Sequence, residues 1–274
     1  MNNEIKSLQH RFLYPGIIVT LLGIIIFIVF SGSALSVLGI VMAAVGIFLM
    51  VFANGEIKDI HLEIKEKTIL NLLKKYYINP TYSSGGIDVN SEARQSQLNI
   101  QGDRAVATNI LYGSFRNVKF SLKNLSVTTS KYIRGDESGP SRNEVKSIFN
   151  GLFMTCIIEN PLKGSLIIKA KKHRKKRYLY DGTLEGFYKH FKVLCDDSNL
   201  EKTMITHTFI ESFYDFINKG NKIQFSYVDG RFFITIENVT IFNRTKINEK
   251  VLSQFEEDVQ IAKLLISSLI PIKS

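Results

Sequence analysis

Residues 12–53 read FLYPGIIVTLLGIIIFIVFSGSALSVLGIVMAAVGIFLMVFA, an uncharged run with a single small-residue break at Ser31-Gly32-Ser33. The run predicts two membrane-spanning helices back to back. Gly16–Phe30 is about 23 Å long at ~1.5 Å per residue, and Phe12, Leu13 and Tyr14 extend it to the ~30 Å hydrocarbon thickness. Ala34–Ala53 spans unaided. Neither span holds an ionisable residue, so a transport or proton-relay role has no chemistry to rest on.

Charge sets the expected orientation. Lys6, His10 and Arg11 precede the first span, while Lys58, Lys65 and Lys67 follow the second. The connection between the spans carries none. The positive-inside rule therefore predicts a two-span protein of the inner or plasma membrane with both termini cytoplasmic. A cleavable signal peptide, with Gly16–Phe30 as its apolar region, and a buried hairpin of a soluble protein are the weaker readings.

Small residues form a stripe on each span: Gly16, Thr20 and Gly23 on the first, Ser36, Gly39, Ala43 and Gly46 on the second. Lipid gives no hydrophobic drive between helices, so close backbone approach along such stripes holds them together. The expectation is packing of the two helices on each other. Homo-oligomerisation through the same stripe is the alternative.

The remaining residues, 54–274, suffice for one large or two small domains. The organisation expected is a tail at 1–11, the helical hairpin at 12–53, a juxtamembrane linker helix at 54–78 and an α+β region at 79–274. A sub-boundary falls near 131–146. Only Cys156 and Cys195 are present, which gives no disulfide framework and fits a reducing compartment. Sequons stand at Asn124, Asn238 and Asn243, and a cytoplasmic location would keep them unmodified.

In the α+β region, VKFSLKNLSV (118–127) alternates as a half-buried strand, with Lys119, Ser121 and Lys123 on the polar side. Ser83–Arg104 reads as loop and short irregular strands, and Lys131–Arg142 as a polar loop. Strands follow at Ser147–Glu159 and Ser165–Ala170. The sharpest local signal is KIQFSYVDGRFFITIE (222–237), where Asp229-Gly230 fits a two-residue type I′ turn. That turn pairs Tyr227 with Phe232, Phe225 with Ile234 and Ile223 with Ile236 on one apolar face, leaving Gln224, Ser226, Phe233 and Thr235 on the other. A helix over His207–Lys219, capped by Thr206 or Thr208 and ended at Gly220, precedes it. A final helix starts after Asn248 and stops at Pro271. The fold class predicted is α+β: a two-helix transmembrane hairpin carrying a mainly antiparallel β region with packed helices.

IFNGLFMTCIIENPLKGSLII (148–168), FKVLCDD (191–197) and the helix–hairpin order of residues 206–237 together resemble DUF3137, a bacterial membrane family of unknown function. Upstream, IKEKTILNLLKKYYINPTY (64–82) is similar to that family's juxtamembrane helix, and the resemblance extends over about residues 10–245. The stretch RAVATNILYG (104–113) departs from it, lacking the acidic residues the family tends to place before that Gly. The resemblance implies the architecture and no catalytic residue.

Chemistry is sparse. The sequence holds no G-x-G-x-x-G, Walker A, H-E-x-x-H, C-x-x-C or G-x-S-x-G motif. Cys195 with Asp196, Asp197, His190 and His207 is the nearest approach to a reactive group, and reads better as a buried Cys and an Asp pair that starts a turn and caps a short helix over Ser198–Lys202. No catalytic residue, metal or cofactor is expected. Net charge is concentrated: Lys163–Lys192 contains ten basic residues against Asp181 and Glu185. Lys169, Lys171, Lys172, Arg174, Lys175, Lys176 and Arg177 lie between strand LIIKA and a second strand, YLYDG (178–182). They read as a loop that is either simply solvated or set against anionic lipid headgroups, where each cation adds about 1 kcal/mol. A nucleic-acid contact is disfavoured, because no aromatic platform accompanies the run. The function expected is membrane-anchored binding or scaffolding with an unknown protein partner. An enzyme with a dispersed polar site is the alternative.

Overall fold

The computed structural model describes residues 2–133, 142–159, 161–171, 184–218, 222–244 and 248–270. Pro271, Gly220 and the strand expected at 178–182 lie outside these. The chain divides into two compact units, 1–67 and 68–274.

The first unit is helical. Helix α1 (Asn2–Leu8) passes through a widened π turn at Gln9–Leu13 into α2 (Tyr14–Val29). Gly32 takes a positive φ of 87° at the break, where the chain reverses, and α3 runs from Ala34 to Leu73. Two stretches are long and apolar enough to cross a membrane: Ile5–Val29 and the apolar part of Ala34–Leu73. Only 11 % of the most apolar window of each is buried, and Ile28, Val29, Phe48 and Val51 are each at least 65 % exposed. Such a surface is compatible with a membrane anchor.

The two helices meet backbone to backbone. A Cβ at Gly23 would lie 2.5 Å from Ala43 N and 2.6 Å from Gly39 O, and one at Gly46 would lie 2.2 Å from Thr20 Oγ1. Gly16 faces Gly46 O at 2.9 Å in the same sense. Thr20 turns its hydroxyl back to Gly16 O at 2.8 Å, so the polar group is satisfied within its own helix. Ser36 Oγ donates to Ser33 O at 2.7 Å at the reversal.

The second unit is built on an open sheet of nine strands, every pairing antiparallel. The strands are β1 (Ile78–Ser83), β2 (Ile87–Asp88), β3 (Arg104–Phe115), β4 (Val118–Ile133), β5 (Arg142–Ile157), β6 (Leu166–Ala170), β7 (Phe191–Cys195), β8 (Lys222–Val228) and β9 (Arg231–Glu237). Their order is β1-β3-β4-β5-β9-β8-β6-β7, with β2 beside β3. Asp229 and Gly230 adopt φ of 50° and 79°, and the β8–β9 register pairs Tyr227 with Phe232, Phe225 with Ile234 and Ile223 with Ile236, as the turn requires.

One sheet face carries the main core. The last turns of α3 (Ile69, Leu72, Leu73) pack there with α5 (Leu184–His190), α6 (Ser198–Met204), α7 (His207–Asn218) and α8 (Glu249–Leu269). Phe187, Phe209, Phe213, Phe225 and Phe255 fill this layer and are buried. Caps act where the residue types ask for them: Thr206 Oγ1 accepts from Phe209 N at 3.2 Å, and Asn248 Oδ1 from Val251 N at 2.9 Å.

The other face is also covered, which alternation alone does not predict. The segment 87–103, containing α4 (Asn90–Gln95), lies across it. Val89, Ala93, Leu98 and Ile100 pack against Phe153, Phe233, Ile167 and Val228 in a second apolar cluster. Ser121, Lys123, Ser226 and Thr235, on the polar side of their strands in the sequence, are therefore all buried.

Replacing Gly46 by Leu should destabilise the helical hairpin by about 1–3 kcal/mol, whereas Gly55→Ala, with nothing within 4 Å of the added Cβ, should be neutral or mildly stabilising. Denaturant titration of the two variants in micelles checks the contrast. Equal loss in both would contradict the packing.

Candidate functional site

Three places in the second unit bring polar chemistry together. The first is the contact between the strap, residues 87–103, and the sheet. Lys123 Nζ reaches Glu92 Oε2 at 2.5 Å, and Thr155 Oγ1 donates to the other oxygen of the same carboxylate. The Lys123 side chain is 2 % exposed and its ammonium also stands 5.5 Å over the Phe153 ring. A buried ammonium is expensive to desolvate, so the carboxylate and the ring act together to hold the charge.

The rest of the strap is tied by single hydrogen bonds to the sheet. Ser226 Oγ donates to Ser96 O at 2.6 Å, Asn99 N to Gln224 Oε1 at 3.1 Å, and Arg231 Nη1 to Gln95 Oε1 at 3.2 Å. Lys169 Nζ donates to Gln97 O and Asn99 Oδ1, both at 3.0 Å, and burial lowers its pKa. Only the Ser96 carbonyl is thereby satisfied in a buried position; the other bonds lie at exposed residues of the strap.

The second place is a cleft of about 570 Å³ where the β3–β4 turn meets the α6–α7 connection and the end of α8. Met204, Phe209 and Leu269 are among its apolar lining; Arg116, Glu159 and Thr206 are among its polar lining. Arg116 and Asn117 form the tight turn with φ of 49° and 63°, a left-handed conformation that Asn accepts and Arg rarely adopts. No His, Cys or Lys is among the described lining residues, and the groups there that could take part in chemistry are Thr203, Thr206, Thr208, Ser267, Ser268 and Glu159. Apolar walls with polar groups among them suit binding of a small molecule with apolar and polar ends.

The third is the end of β7. Cys195 Sγ donates to Asp197 O at 3.1 Å, and burial pushes its pKa up, so it remains a thiol. Asp197 caps α6 by accepting from Asn199 N at 2.8 Å. Asp196 accepts from Ser165 N at 2.7 Å and Ser165 Oγ at 3.0 Å, and these bonds hold its pKa below the usual carboxylate range. Both aspartates serve the turn. Burial pushes the Cys156 thiol well up too. Among the described residues no His, Cys, Asp and Glu cluster could hold a metal ion.

Of the basic residues singled out in the sequence, Lys169 is bound to the strap and Lys171 Nζ donates to Tyr188 O at 2.6 Å. Lys172, Arg174, Lys175, Lys176 and Arg177 lie outside the described residues. β6 pairs with β7 and β8, so its neighbours are Phe191–Cys195 and Lys222–Val228.

Three polar anchors between separated parts of the chain were illegible in the sequence. Asn124, buried on β4, donates Nδ2 to Ile241 O and accepts from Ile241 N, both at 2.8 Å, fixing the loop after β9. Its sequon is thus closed off by the fold. Asp258 on α8 accepts from Phe242 N at 2.7 Å, and burial raises its pKa to about 6. Tyr77, after α3, donates to Val259 O and accepts from Lys263 N at 3.1 Å; burial raises its pKa strongly.

Two outcomes test the strap contact and the Asp258 anchor. Lys123→Met should lose about 3 kcal/mol by stranding Glu92, and Lys123→Met with Glu92→Gln should recover a large part; urea titration in micelles compares them. Asp258 holds an extra proton in the folded state between its ordinary pKa near 3.8 and about 6, so stability falls as pH rises through that window and stays reduced above it. Asp258→Asn keeps the acceptor for Phe242 N and removes the charge. It should be about 2 kcal/mol more stable than the parent at pH 8 and equal to it at pH 4, which the same titration at both pH values reads.

No curated protein matches the chain. The crystal structure of the mycobacterial trehalose monomycolate transport factor A, TtfA, aligns over 77 % of this chain and 98 % of its own, at 8 % identity and a TM-score of 0.36; that likeness carries no argument. The sequence resemblance over residues 10–245 is matched only in its later part, and the match runs on into α8. Over residues 147–272, from β5 through α8, the chain matches the family described as "Protein of unknown function (DUF3137)".

Proposed function

We propose that this chain is a membrane-anchored binding or scaffold protein, with its α+β unit in the cytoplasm and its basic segment turned to anionic lipid headgroups. The observation that carries the reading is the pair of packed helices that leave Ile28, Val29, Phe48 and Val51 exposed, a surface that lipid would cover. The positive residues on both flanks favour the cytoplasmic side. An anchored segment works at high effective concentration near the bilayer, so a modest patch suffices. Lys169 and Lys171 serve the fold, which leaves Lys172, Arg174, Lys175, Lys176 and Arg177 as the cations for the headgroups.

Trypsin cuts after Lys and Arg, and so reports directly on this segment. With the full chain in nanodiscs at moderate salt, cleavage within 172–177 should be slower on anionic than on neutral lipid, by about tenfold or more. High salt should abolish the difference by screening. Equal rates on both lipids would overturn the headgroup contact.

A further inference from the structure

β4 and β5 outrun the sheet. Pairing of β3 with β4 ends at Arg104–Thr128, and pairing of β5 with β9 ends at Gly151–Glu237. Yet β4 and β5 stay paired, past a one-residue register shift at Val127/Thr128, out to Ile133–Arg142. What projects is a two-stranded ribbon, 129–133 against 142–146, with no third strand beside it among the described residues. Such a ribbon is marginal in water by itself. Its open edges present backbone groups ready to pair with another strand.

The two edges differ. On the β4 side the Asp103 carboxylate accepts from Ser130 N at 2.7 Å and from Thr129 Oγ1 at 2.8 Å, blunting the edge at its root. On the β5 side residues 143–148 are all exposed, with Val145 at 64 %. Across the ribbon Tyr132, also 64 % exposed, stands opposite Asn143 and shares the Val145 face.

Charge along the β5 edge is self-complementary. It reads Asn143-Glu144-Val145-Lys146-Ser147. A two-fold axis through Val145 sets Glu144 against Lys146 of a second copy, and Lys146 against Glu144, on one face. On the other face Val145 covers Val145 and Asn143 meets Ser147. Lys131 already stands opposite Glu144 within the ribbon, so each carboxylate would lie between two ammonium groups. Moving the axis by one residue sets Glu144 against Glu144 or Lys146 against Lys146, so charge selects the register. We infer that the β5 edge of this ribbon is a self-pairing surface, at which a second copy of the chain adds its own β5 edge antiparallel about Val145. The inference is independent of the basic segment and of the spans.

Energy transfer between donor- and acceptor-labelled populations of the full chain in liposomes tests it. Glu144→Lys alone, or Lys146→Glu alone, places two like-charge pairs across the axis and should weaken self-association about tenfold. An equal mixture of the two single variants restores both opposite-charge pairs across the axis and should recover most of the parent's association, as should the Glu144→Lys/Lys146→Glu double variant; what stays lost is the Lys131–Glu144 pair within the ribbon. The mixture controls for folding, because misfolded chains would not rescue one another. Association through the small-residue stripe would ignore these charges. Equal transfer in every sample, absence of transfer in the parent, or failure of the mixture to recover would each overturn the proposal.

Discussion

Pairing of β4 with β5 is the contact on which the second unit depends. It is the longest ladder in the sheet, and both neighbouring halves hang from it: β3, with β1 and β2, on one side, and β9, with β8, β6 and β7, on the other. Joined, they present two faces, and the helices take one while the strap takes the other. The interior of the ladder is consequently buried from both directions, which is why a lysine can stand at Lys123 only with Glu92 brought to it. The strap's position is thereby set by an electrostatic demand arising inside the sheet.

Covering both faces also explains what could and could not be read from the residues. The β8–β9 hairpin was fully legible, because an Asp-Gly turn imposes both the hand of the turn and the register. The apolar stripes of α7 and α8 and their polar caps were equally plain. The strap was not. Asn90–Gln95 reads NSEARQ, with only Ala93 contributing an apolar side chain to the cluster, so no helical period marks it. Ser226, Phe233 and Thr235 look like an outward face until that segment folds over them. The β3–β4 turn at Arg116-Asn117 lacks a glycine, and only its backbone angles reveal it. The cleft beside that turn draws its walls from four separated stretches of chain, which no local pattern joins.

Glycine plays a different part in the helical unit. At Gly16, Gly23, Gly39 and Gly46 the neighbouring helix's backbone occupies the space of a side chain. The attraction gained is dispersion between closely apposed main chains, which a lipid environment would not supply on equal terms. An unbroken apolar run at 12–53 made the helices readable. Spacing alone left open which copy's helix each stripe would meet, and the close approaches place them within one chain.

β5 changes character midway along its length. Residues 151–156 are buried without interruption, whereas 143–148 are exposed without interruption. One strand therefore carries two substitution regimes a few residues apart. At the root, alternation gives no relief, and a polar replacement at any of six successive positions enters a packed layer. In the projecting half, sequence is free to drift as far as folding is concerned. Homologous chains would then keep the root of this strand while diversifying its tip, making the ribbon the place where related proteins most readily acquire different associations.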